Sequence, residues 1–248
     1  MNSGGVKGLR RKPTGGRRRE NMTLKEEKAF LTTFTKAAGA GQLLNVRELK
    51  SAYEKQIGHP TSNSTMYDLL ARHDGRPLRV MFADEARFGR MNRPQPCWAP
   101  AGVRPEVACQ LIREYIYLYG AVSPTDGTCA FLILPASDTE CFQIFLNSLA
   151  RRFSRSYILL VIDGAGNHGS GELIIPGNVT LAFLPPYSPE LNPQEHIWDE
   201  IRENLFQNYA AKSIDEVCDK LVHASLYIER NRKMVKSMTS FPYITNSL

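Results

Sequence analysis

Three acidic residues stand out because each lies where the chain should hold it rigidly. Asp84 ends the apolar run RVMFA, Asp163 ends YILLVI, and Glu195 falls in the first turn of a predicted helix. Carboxylates that converge in this way repel one another unless a cation neutralises them. Hard oxygen ligands favour Mg²⁺ or Mn²⁺, and two such ions about 4 Å apart can promote phosphodiester displacement. The three residues therefore predict a metal-dependent site for phosphoryl transfer.

Glu195 belongs to the stretch LPPYSPELNPQEHIWDEIR, residues 184–202. Its prolines fix φ and withhold backbone donors, so a helix should not begin before about Asn192, which is predicted to cap it. Pro193 suits the first helical position. Taken alone, Glu195 is also explained as an acid that complements the helix dipole. A buried apolar stripe is predicted at helical spacing, made of Ile197, Trp198, Ile201 and Leu205.

The order of elements around these acids predicts a fold. Strands are expected at 79–83, 115–122, 128–134, 157–162 and 179–184, with the first ending at Asp84 and Glu85. A helix opened by a capping box of Ser137 and Glu140 follows the third strand, and a closing helix starts at Ser213 with Leu226 facing inward. This is the order of the ribonuclease-H-like fold, an α/β class with a mixed sheet and flanking helices. Its first and fourth strands are neighbours, which would place Asp84 beside Asp163.

Several residues near the acids are candidates for supporting roles. Glu85 should point to the face of the strand opposite Asp84 and is a weaker ligand candidate. Asn167 and His168 follow Asp163 and could orient a water or a phosphate, although His168 suits a structural or DNA-contact role equally well. Trp198 is expected in the core rather than as a base-stacking platform. A loop predicted over 87–105 carries possible phosphate contacts at Arg87, Arg90 and Arg93.

The first part of the chain is predicted to be helical. A capping box at Thr23 and Glu26 opens the first of three short helices, and the third should run over 62–73. Three such helices with a tight Gly/Pro turn suit a helix-turn-helix or winged-helix DNA reader over 23–76, although a small helical cap on the next domain is the alternative. The residues that would face DNA are Asn63, Ser64, Tyr67 and Arg72.

Charge is concentrated at the start of the chain. Residues 1–22 carry seven basic residues and one acidic residue, which accounts for the whole net charge of +6 in 248 residues. A Gly-rich basic arm of this kind is expected to be disordered in isolation and to contact phosphates through Arg17, Arg18 and Arg19, although it could be a solvated tail or linker. Five scattered cysteines without a CxxC pair argue for reduced thiols and against a zinc site. The absence of a long apolar run predicts a soluble, intracellular protein.

The blocks FADEARFGR, VIDGAGNH and LPPYSPELNPQEHIWDEIR resemble the three acidic motifs of the IS630 family of bacterial transposases, in the IS630/Tc1/mariner group with a DDE endonuclease domain. The resemblance covers residues 78–242, and residues 17–73 resemble the second helix-turn-helix of that family. It implies that Asp84, Asp163 and Glu195 are the metal-binding triad. They would hold two Mg²⁺ ions, with Mn²⁺ as a substitute, in a catalytic domain over 77–248.

The resemblance also implies a reaction and its partners. Family members cut double-stranded DNA at the terminal inverted repeats of the element and join the freed 3′-hydroxyl to target DNA, typically at a TA dinucleotide. A homodimer on DNA, in the bacterial cytoplasm and close to the nucleoid, is the expected assembly. Two departures from the family pattern predict a truncated DNA-binding half. The chain begins in what resembles the linker after a first helix-turn-helix, and only residues 73–77 separate Arg72 from Leu78.

Three functions therefore compete. The first is a DDE transposase that cleaves and transfers DNA strands. The second is a catalytically impaired, DNA-binding remnant of such a transposase, which the shortened first half favours. The third is another ribonuclease-H-like nuclease that acts on RNA or on a junction.

Overall fold

The computed structural model describes residues 21–39, 46–92, 94–163, 173–185 and 188–245. Three helices come first, α1 (Leu24–Gly39), α2 (Val46–Ile57) and α3 (Asn63–Asp74). Three strands and a helix follow, β1 (Leu78–Met91), β2 (Leu111–Ser123), β3 (Thr128–Leu134) and α4 (Thr139–Arg152). The remaining elements are β4 (Tyr157–Ile162), β5 (Val179–Phe183), α5 (Gln194–Glu200), α6 (Ile214–Arg230), α7 (Arg232–Thr239) and α8 (Pro242–Thr245).

The five strands form one mixed sheet in the order β3-β2-β1-β4-β5. β1, β2 and β3 pair antiparallel, as successive strands joined by turns can, whereas β4 lies parallel to β1 and β5 parallel to β4. This is the ribonuclease-H-like order, so the predicted fold is confirmed. It places β1 and β4, the strands that lead to Asp84 and Asp163, side by side.

Alternation along the strands sends side chains to two separate cores. Met81 and Ala83 of β1 pack with α4, together with Leu160 and Ile162 of β4. Phe82 of β1 faces the other side and packs with residues of α5 and α6. Because successive side chains of a strand point to opposite faces, residue 84 must point to the α5 side and residue 85 to the α4 side.

The three N-terminal helices bury a core of their own. Leu31, Leu49, Tyr53, Met66 and Leu69 are all at most 1% exposed, and this cluster also includes Tyr157 at the start of β4. The predicted capping box is present, since Thr23 N donates to Glu26 Oε2 at 2.8 Å and Glu26 N donates to Thr23 Oγ1 at 3.4 Å. Among the described residues no helix is long and apolar enough to cross a membrane.

Several predicted boundaries were wrong. β1 does not end at Asp84 but continues to Met91, because it remains paired with β2 after its pairing with β4 stops at Phe82. Arg87 and Arg90 therefore lie on a strand rather than in the predicted loop.

Two side-chain predictions also failed. Asp138, not Ser137, caps α4, because its Oδ1 accepts from Cys141 N at 2.8 Å. Leu226 is 41% exposed on α6 rather than inward. The cap predicted for α6 is correct, since Ser213 Oγ accepts from Glu216 N at 3.2 Å.

Candidate functional site

Asp84 and Asp163 lie at matching positions on neighbouring strands. The last paired residues of the parallel ladder are Phe82 of β1 and Val161 of β4, and each aspartate comes two residues later in its own strand direction. Neighbouring strands are about 4.8 Å apart. Phe82 and Val161 both pack in the core on the α5 side, so continued alternation directs both aspartates toward that side. Register thus brings together two acids that are 79 positions apart in the sequence.

Helix α5 brings Glu195 over this sheet edge. A 3₁₀ turn at Pro189–Leu191 precedes the helix, and the half-buried Glu195 occupies its first turn. Asn192 is 4% exposed, and its side chain makes two hydrogen bonds at the start of the helix. Its Oδ1 accepts from Gln194 N at 3.1 Å, as expected of a capping residue, and its Nδ2 donates to Ala83 O at 3.2 Å. The start of α5 is therefore bonded to the backbone of the residue just before Asp84.

Trp198 connects α5 to Asp84 directly. Its indole Nε1 donates to Asp84 Oδ2 at 2.8 Å, while the ring is 1% exposed and packs against Phe88 and Phe131. The expectation of a core residue is correct, but sequence reasoning missed the hydrogen bond. A signal was present, because Trp198 lies three residues after Glu195 and so on the same side of the helix.

The electrostatics of the site oppose full ionisation of its acids. Burial, assisted by the nearby charges of Glu195 and Glu85, raises the pKa of Asp84 to about 7, although the hydrogen bond from Trp198 acts to lower it. Burial also raises the pKa of Glu195, and the charge of Asp163 acts in the same direction, whereas Arg202 lowers it. Asp84 and Glu195 therefore each respond to the charge of another acid of the candidate triad.

The donor set fits a hard divalent cation. Three carboxylates at one sheet edge supply the oxygen ligands that Mg²⁺ and Mn²⁺ prefer, and the mutual repulsion described above is what a cation would relieve. Within the described residues, however, no group of three His, Cys, Asp or Glu side chains lies close enough together to hold a metal ion. Asp163 is exposed. The ligand types thus fit the metal, but the three carboxylates are too far apart in this structure to coordinate one ion together.

Gly120 explains how α5 approaches the sheet so closely. It is paired with Asp84 across the β1–β2 ladder. A Cβ at Gly120 would lie 2.5 Å from Gln194 Nε2 and 2.6 Å from the Trp198 ring. Gln194 is fully buried there, and among the described residues its amide has no hydrogen-bond partner. Only a residue without a side chain leaves space for these two groups, so Gly120 permits the contact between Trp198 and Asp84.

Glu85 lies on the opposite face, as predicted. Its Oε1 accepts a hydrogen bond from Ser137 Oγ at 2.9 Å, at the start of α4. The neighbouring Tyr119 OH donates to Ala136 O at 3.0 Å, and burial raises the pKa of that phenol. Glu85 therefore belongs to the packing of α4 against the sheet, which separates it from the site formed by Asp84 and Glu195.

The structure describes only some of the residues that were predicted to contact DNA. Arg87 is exposed on β1, with its guanidinium 4.4 Å from the Tyr115 ring centroid. Arg90 is instead engaged within the chain, since it donates to Glu114 Oε2 at 2.9 Å and to Ala211 O at 3.2 Å. Asn63, Ser64, Tyr67 and Arg72 lie on α3, although their side chains are outside what the structure describes. Also outside the described residues are Arg17, Arg18, Arg19, Arg93, Asn167 and His168.

Comparison with known proteins identifies relatives of this chain. A family model described as "DDE superfamily endonuclease" matches residues 79–218. The "Uncharacterized protein y4pE/y4sA" of Sinorhizobium fredii (strain NBRC 101917 / NGR234) is 41% identical over 104 residues, which are 42% of this chain and 77% of that protein. The family match spans all three candidate acids and every strand except the first residue of β1.

The chain is also similar to solved structures. The crystal structure of a pre-cleavage Mos1 transpososome has a TM-score of 0.50 and 11% identity, over 96% of this chain and 82% of that chain. The crystal structure of the Mos1 mariner paired end complex with Mn has a TM-score of 0.49 and 14% identity, with the same coverage of 96% and 82%. At such identities the likeness concerns the fold alone.

Proposed function

Because the chain belongs to the DDE superfamily endonuclease family, we propose that it is a DNA transposase of the IS630/Tc1/mariner type. It cleaves phosphodiester bonds at the ends of a mobile element and transfers the freed strand into target DNA at a TA-type site. The observation that supports this function best is the junction of β1, β4 and α5. Strand register brings Asp84 level with Asp163, and α5 presents Glu195 while bonded to Asp84 through Trp198.

We propose Asp84, Asp163 and Glu195 as the ligands of two Mg²⁺ ions, for which Mn²⁺ can substitute. A bound pair would activate the attacking oxygen and stabilise the leaving oxygen. Coordination by all three acids requires side-chain rotation, chiefly of the exposed Asp163. Asp84 must also lose its proton, since burial raises its pKa to about 7 in the metal-free protein. Metal binding is therefore expected to release protons near neutral pH.

The residues around the triad keep it in place. Trp198 holds Asp84 Oδ2 from the helix side, and Asn192 fixes the start of α5 to Ala83 O. Glu195 lies between these two attachments in sequence, at positions 192, 195 and 198. A site whose ligands are displaced by about 1 Å loses much of its rate, so two attachments on either side of Glu195 limit that loss.

We propose that the N-terminal part of the chain binds the DNA. Helices α1–α3, within the proposed domain 23–76, bind double-stranded DNA at the terminal inverted repeats, with α3 as the recognition helix. The basic arm over 1–22 contacts phosphates, and residues 77–248 form the catalytic domain. Two copies of the chain act together on paired ends. The cluster of buried side chains that α1–α3 share, joined to the sheet through Tyr157, supports a DNA-binding unit packed on the catalytic domain.

Metal-dependent nicking tests the function. The purified full chain should nick plasmid DNA that carries the terminal repeats when Mn²⁺ or Mg²⁺ is present, and EDTA should stop it. Asp163→Asn is expected to lower the rate on the order of a thousandfold, because several kcal/mol of transition-state stabilisation depend on the metal. Glu85→Gln is the matched control, since this neighbouring acid faces α4 and bonds to Ser137. Nicking by Asp163→Asn at the normal rate would contradict the assignment.

A DNA-binding remnant is the second candidate, and the short connection between α3 and β1 favours it. Only Gly75, Arg76 and Pro77 separate the two elements. Filter binding in EDTA distinguishes the candidates. Salt-sensitive binding without any metal-dependent cleavage supports the remnant, whereas binding together with Mn²⁺-dependent nicking supports the transposase.

A further inference from the structure

A cleft of about 450 Å³ opens beside the carboxylate site. One wall is the far half of β1 with Tyr115 of β2, and the other is the segment that follows α5. That segment begins with a π-helical turn at Ile201–Leu205, in which Phe206 N donates to Ile201 O at 2.9 Å. Turns of this type occur frequently at functional sites. None of the residues that line the cleft belongs to the candidate triad.

The walls of the cleft are continuations of the elements that carry the acids. Arg87 lies three residues after Asp84 on β1, which is about 10 Å along a strand. Arg202 lies seven residues after Glu195, which is about 10 Å along a helix. The odd spacing puts the Arg87 side chain on the face of β1 opposite Asp84, whereas Arg202 lies over Phe88 on the α5 side, so the two arginines line the cleft from the two faces of β1. A polymer bound at the acids would meet these arginines one to two monomers away.

Both arginines present guanidinium groups that are stacked on aromatic rings. Arg87 lies 4.4 Å from the centroid of Tyr115, and Arg202 lies 5.7 Å from the centroid of Phe88. Both residues are exposed, and among the described residues neither forms an ion pair within 4.0 Å. Stacking orients a guanidinium while leaving its N–H edge available for a phosphate. Arg90 differs, because Glu114 and Ala211 O already occupy its donors.

Three other polar side chains of the cleft are already bonded within the chain. Asn92 Nδ2 donates to Ala108 O at 2.9 Å, and Asn208 Nδ2 donates to Gln95 O at 3.2 Å. Tyr209 OH donates to Glu216 Oε1 at 2.5 Å. These side chains would have to give up their own hydrogen bonds to read the edges of bases. Apart from the side chain of Gln95, the groups that remain for a ligand are cationic, which suits a phosphate backbone better than a particular base sequence.

We infer that this cleft binds the DNA strand next to the scissile phosphate, with Arg87 and Arg202 each contacting one backbone phosphate. The inference rests on the proposed function and extends it to a path for the strand. The contacts are independent of base sequence and position the strand across the acids. Arg87 was already a predicted phosphate contact, whereas Arg202 was not. Arg202 reaches the cleft because it lies in the π-helical turn that follows α5.

Salt-dependent binding tests the inference without any catalysis. Fluorescence anisotropy of a labelled 30-nucleotide oligonucleotide, single-stranded and as a duplex, is measured in EDTA with the full chain and with Arg87→Gln, Arg202→Gln and the double variant. Each single substitution should reduce the slope of log K against log salt concentration by about 1, and the double variant by about 2. Arg152→Gln is the matched control, because Arg152 forms an ion pair with Glu229 at 2.9 Å and lies outside the cleft.

Methylphosphonate substitution then locates the contacts. Replacing single phosphates along the oligonucleotide with neutral methylphosphonates should weaken binding to the parent protein at two positions, and each position should become insensitive in one of the two arginine variants. If the parent protein binds DNA but both variants keep its salt slope, the cleft inference is wrong while the proposed function stands. If the parent protein neither binds nor cleaves DNA, the proposed function itself fails.

Discussion

Trp198 Nε1 lies 2.8 Å from Asp84 Oδ2, so a buried ring of α5 holds the carboxylate of β1 that is 114 positions away in the sequence. The bond fixes one oxygen of Asp84. It also ties the angle of α5 to the position of Asp84, and Glu195 is carried on the same helix. Groups that orient metal ligands in this way typically change metal affinity or activity 10- to 100-fold when they are removed.

The first prediction concerns this bond. Trp198→Phe keeps an aromatic ring but removes the N–H donor, so Mn²⁺ affinity measured by electron paramagnetic resonance should fall about 10-fold or more. Phe131→Leu is the control, because Phe131 packs on Trp198 with ring centroids 6.2 Å apart and donates nothing to Asp84. It should lower the unfolding midpoint while Mn²⁺ affinity stays near that of the parent. Equal losses of affinity in both variants would mean that Trp198 acts only through packing.

The second prediction concerns pH and the metal-free protein. Burial raises the pKa of Asp84 from an ordinary value of 3.8 to about 7, so the folded state binds the extra proton. The contribution of this carboxyl to stability is fully present below about pH 4 and is lost as pH rises through about 7. In EDTA at pH 8, Asp84→Asn should therefore be more stable than the parent by roughly 1–3 kcal/mol, a range reduced for partial exposure of the carboxylate. Urea unfolding at pH 5 and pH 8 measures the difference.

Asp126 supplies a control of opposite sign for that experiment. Hydrogen bonds from Thr128 and Arg79 lower its pKa despite its partial burial, and Arg79 Nη1 lies 2.9 Å from its Oδ2. Its contribution is present above the ordinary pKa and is lost as pH falls. Asp126→Asn should thus destabilise the protein at pH 8. A gain in stability for Asp126→Asn, or a loss for Asp84→Asn, would contradict the electrostatic account.

The third prediction concerns the start of α5. Asn192→Ala removes the donor to Ala83 O and the acceptor for Gln194 N, and it should cost about 1–3 kcal/mol of stability. Asn192→Ser keeps a capping oxygen but cannot reach Ala83, so its loss should be smaller. If the two variants unfold at the same urea concentration, capping contributes nothing measurable and the contact with β1 carries the whole effect.

The fourth prediction concerns the approach of α5 to the sheet. Gly120→Ala places a Cβ 2.5 Å from Gln194 Nε2 and 2.6 Å from the Trp198 ring, so one of these groups must shift. Overpacking of this kind typically costs 1–3 kcal/mol, and a shift of Trp198 should also weaken Mn²⁺ binding. Gly177→Ala is the control, because nothing lies within 4 Å of a Cβ there. Thermal unfolding and Mn²⁺ titration of both variants check the prediction.

Much of the sheet and of α5 was predictable because the signals are local. The apolar run YILLVI predicted β4 with its correct bounds, and the hairpin signal predicted β3. The proline frame predicted where α5 begins, and the buried stripe of Ile197, Trp198 and Ile201 is confirmed. The family resemblance is confirmed at the level of the DDE superfamily, whereas the roles of Asp84, Asp163 and Glu195 stay predictions.

The errors arose where a distant partner decided the outcome. Residues 84–91 carry four charged residues and a glycine, which favoured a loop, whereas pairing with β2 keeps them extended and buries Ala86 and Phe88. Asp138 caps α4 in place of Ser137 because Ser137 bonds to Glu85 of β1. Leu226 is a different kind of error, because it lies off the buried stripe that Val217, Leu221, Ala224 and Ile228 form at helical spacing.

The sequence by itself determined which residues could act, since carboxylates, prolines and apolar runs are recognised from local chemistry and spacing. Tertiary structure decided what surrounds them. Parallel register set Asp84 level with Asp163, the absent side chain of Gly120 admitted Trp198, and the turn after α5 placed Arg202 across a cleft from Arg87. These relationships join residues far apart in the chain, and they depend on strand pairing and packing, which no local pattern encodes.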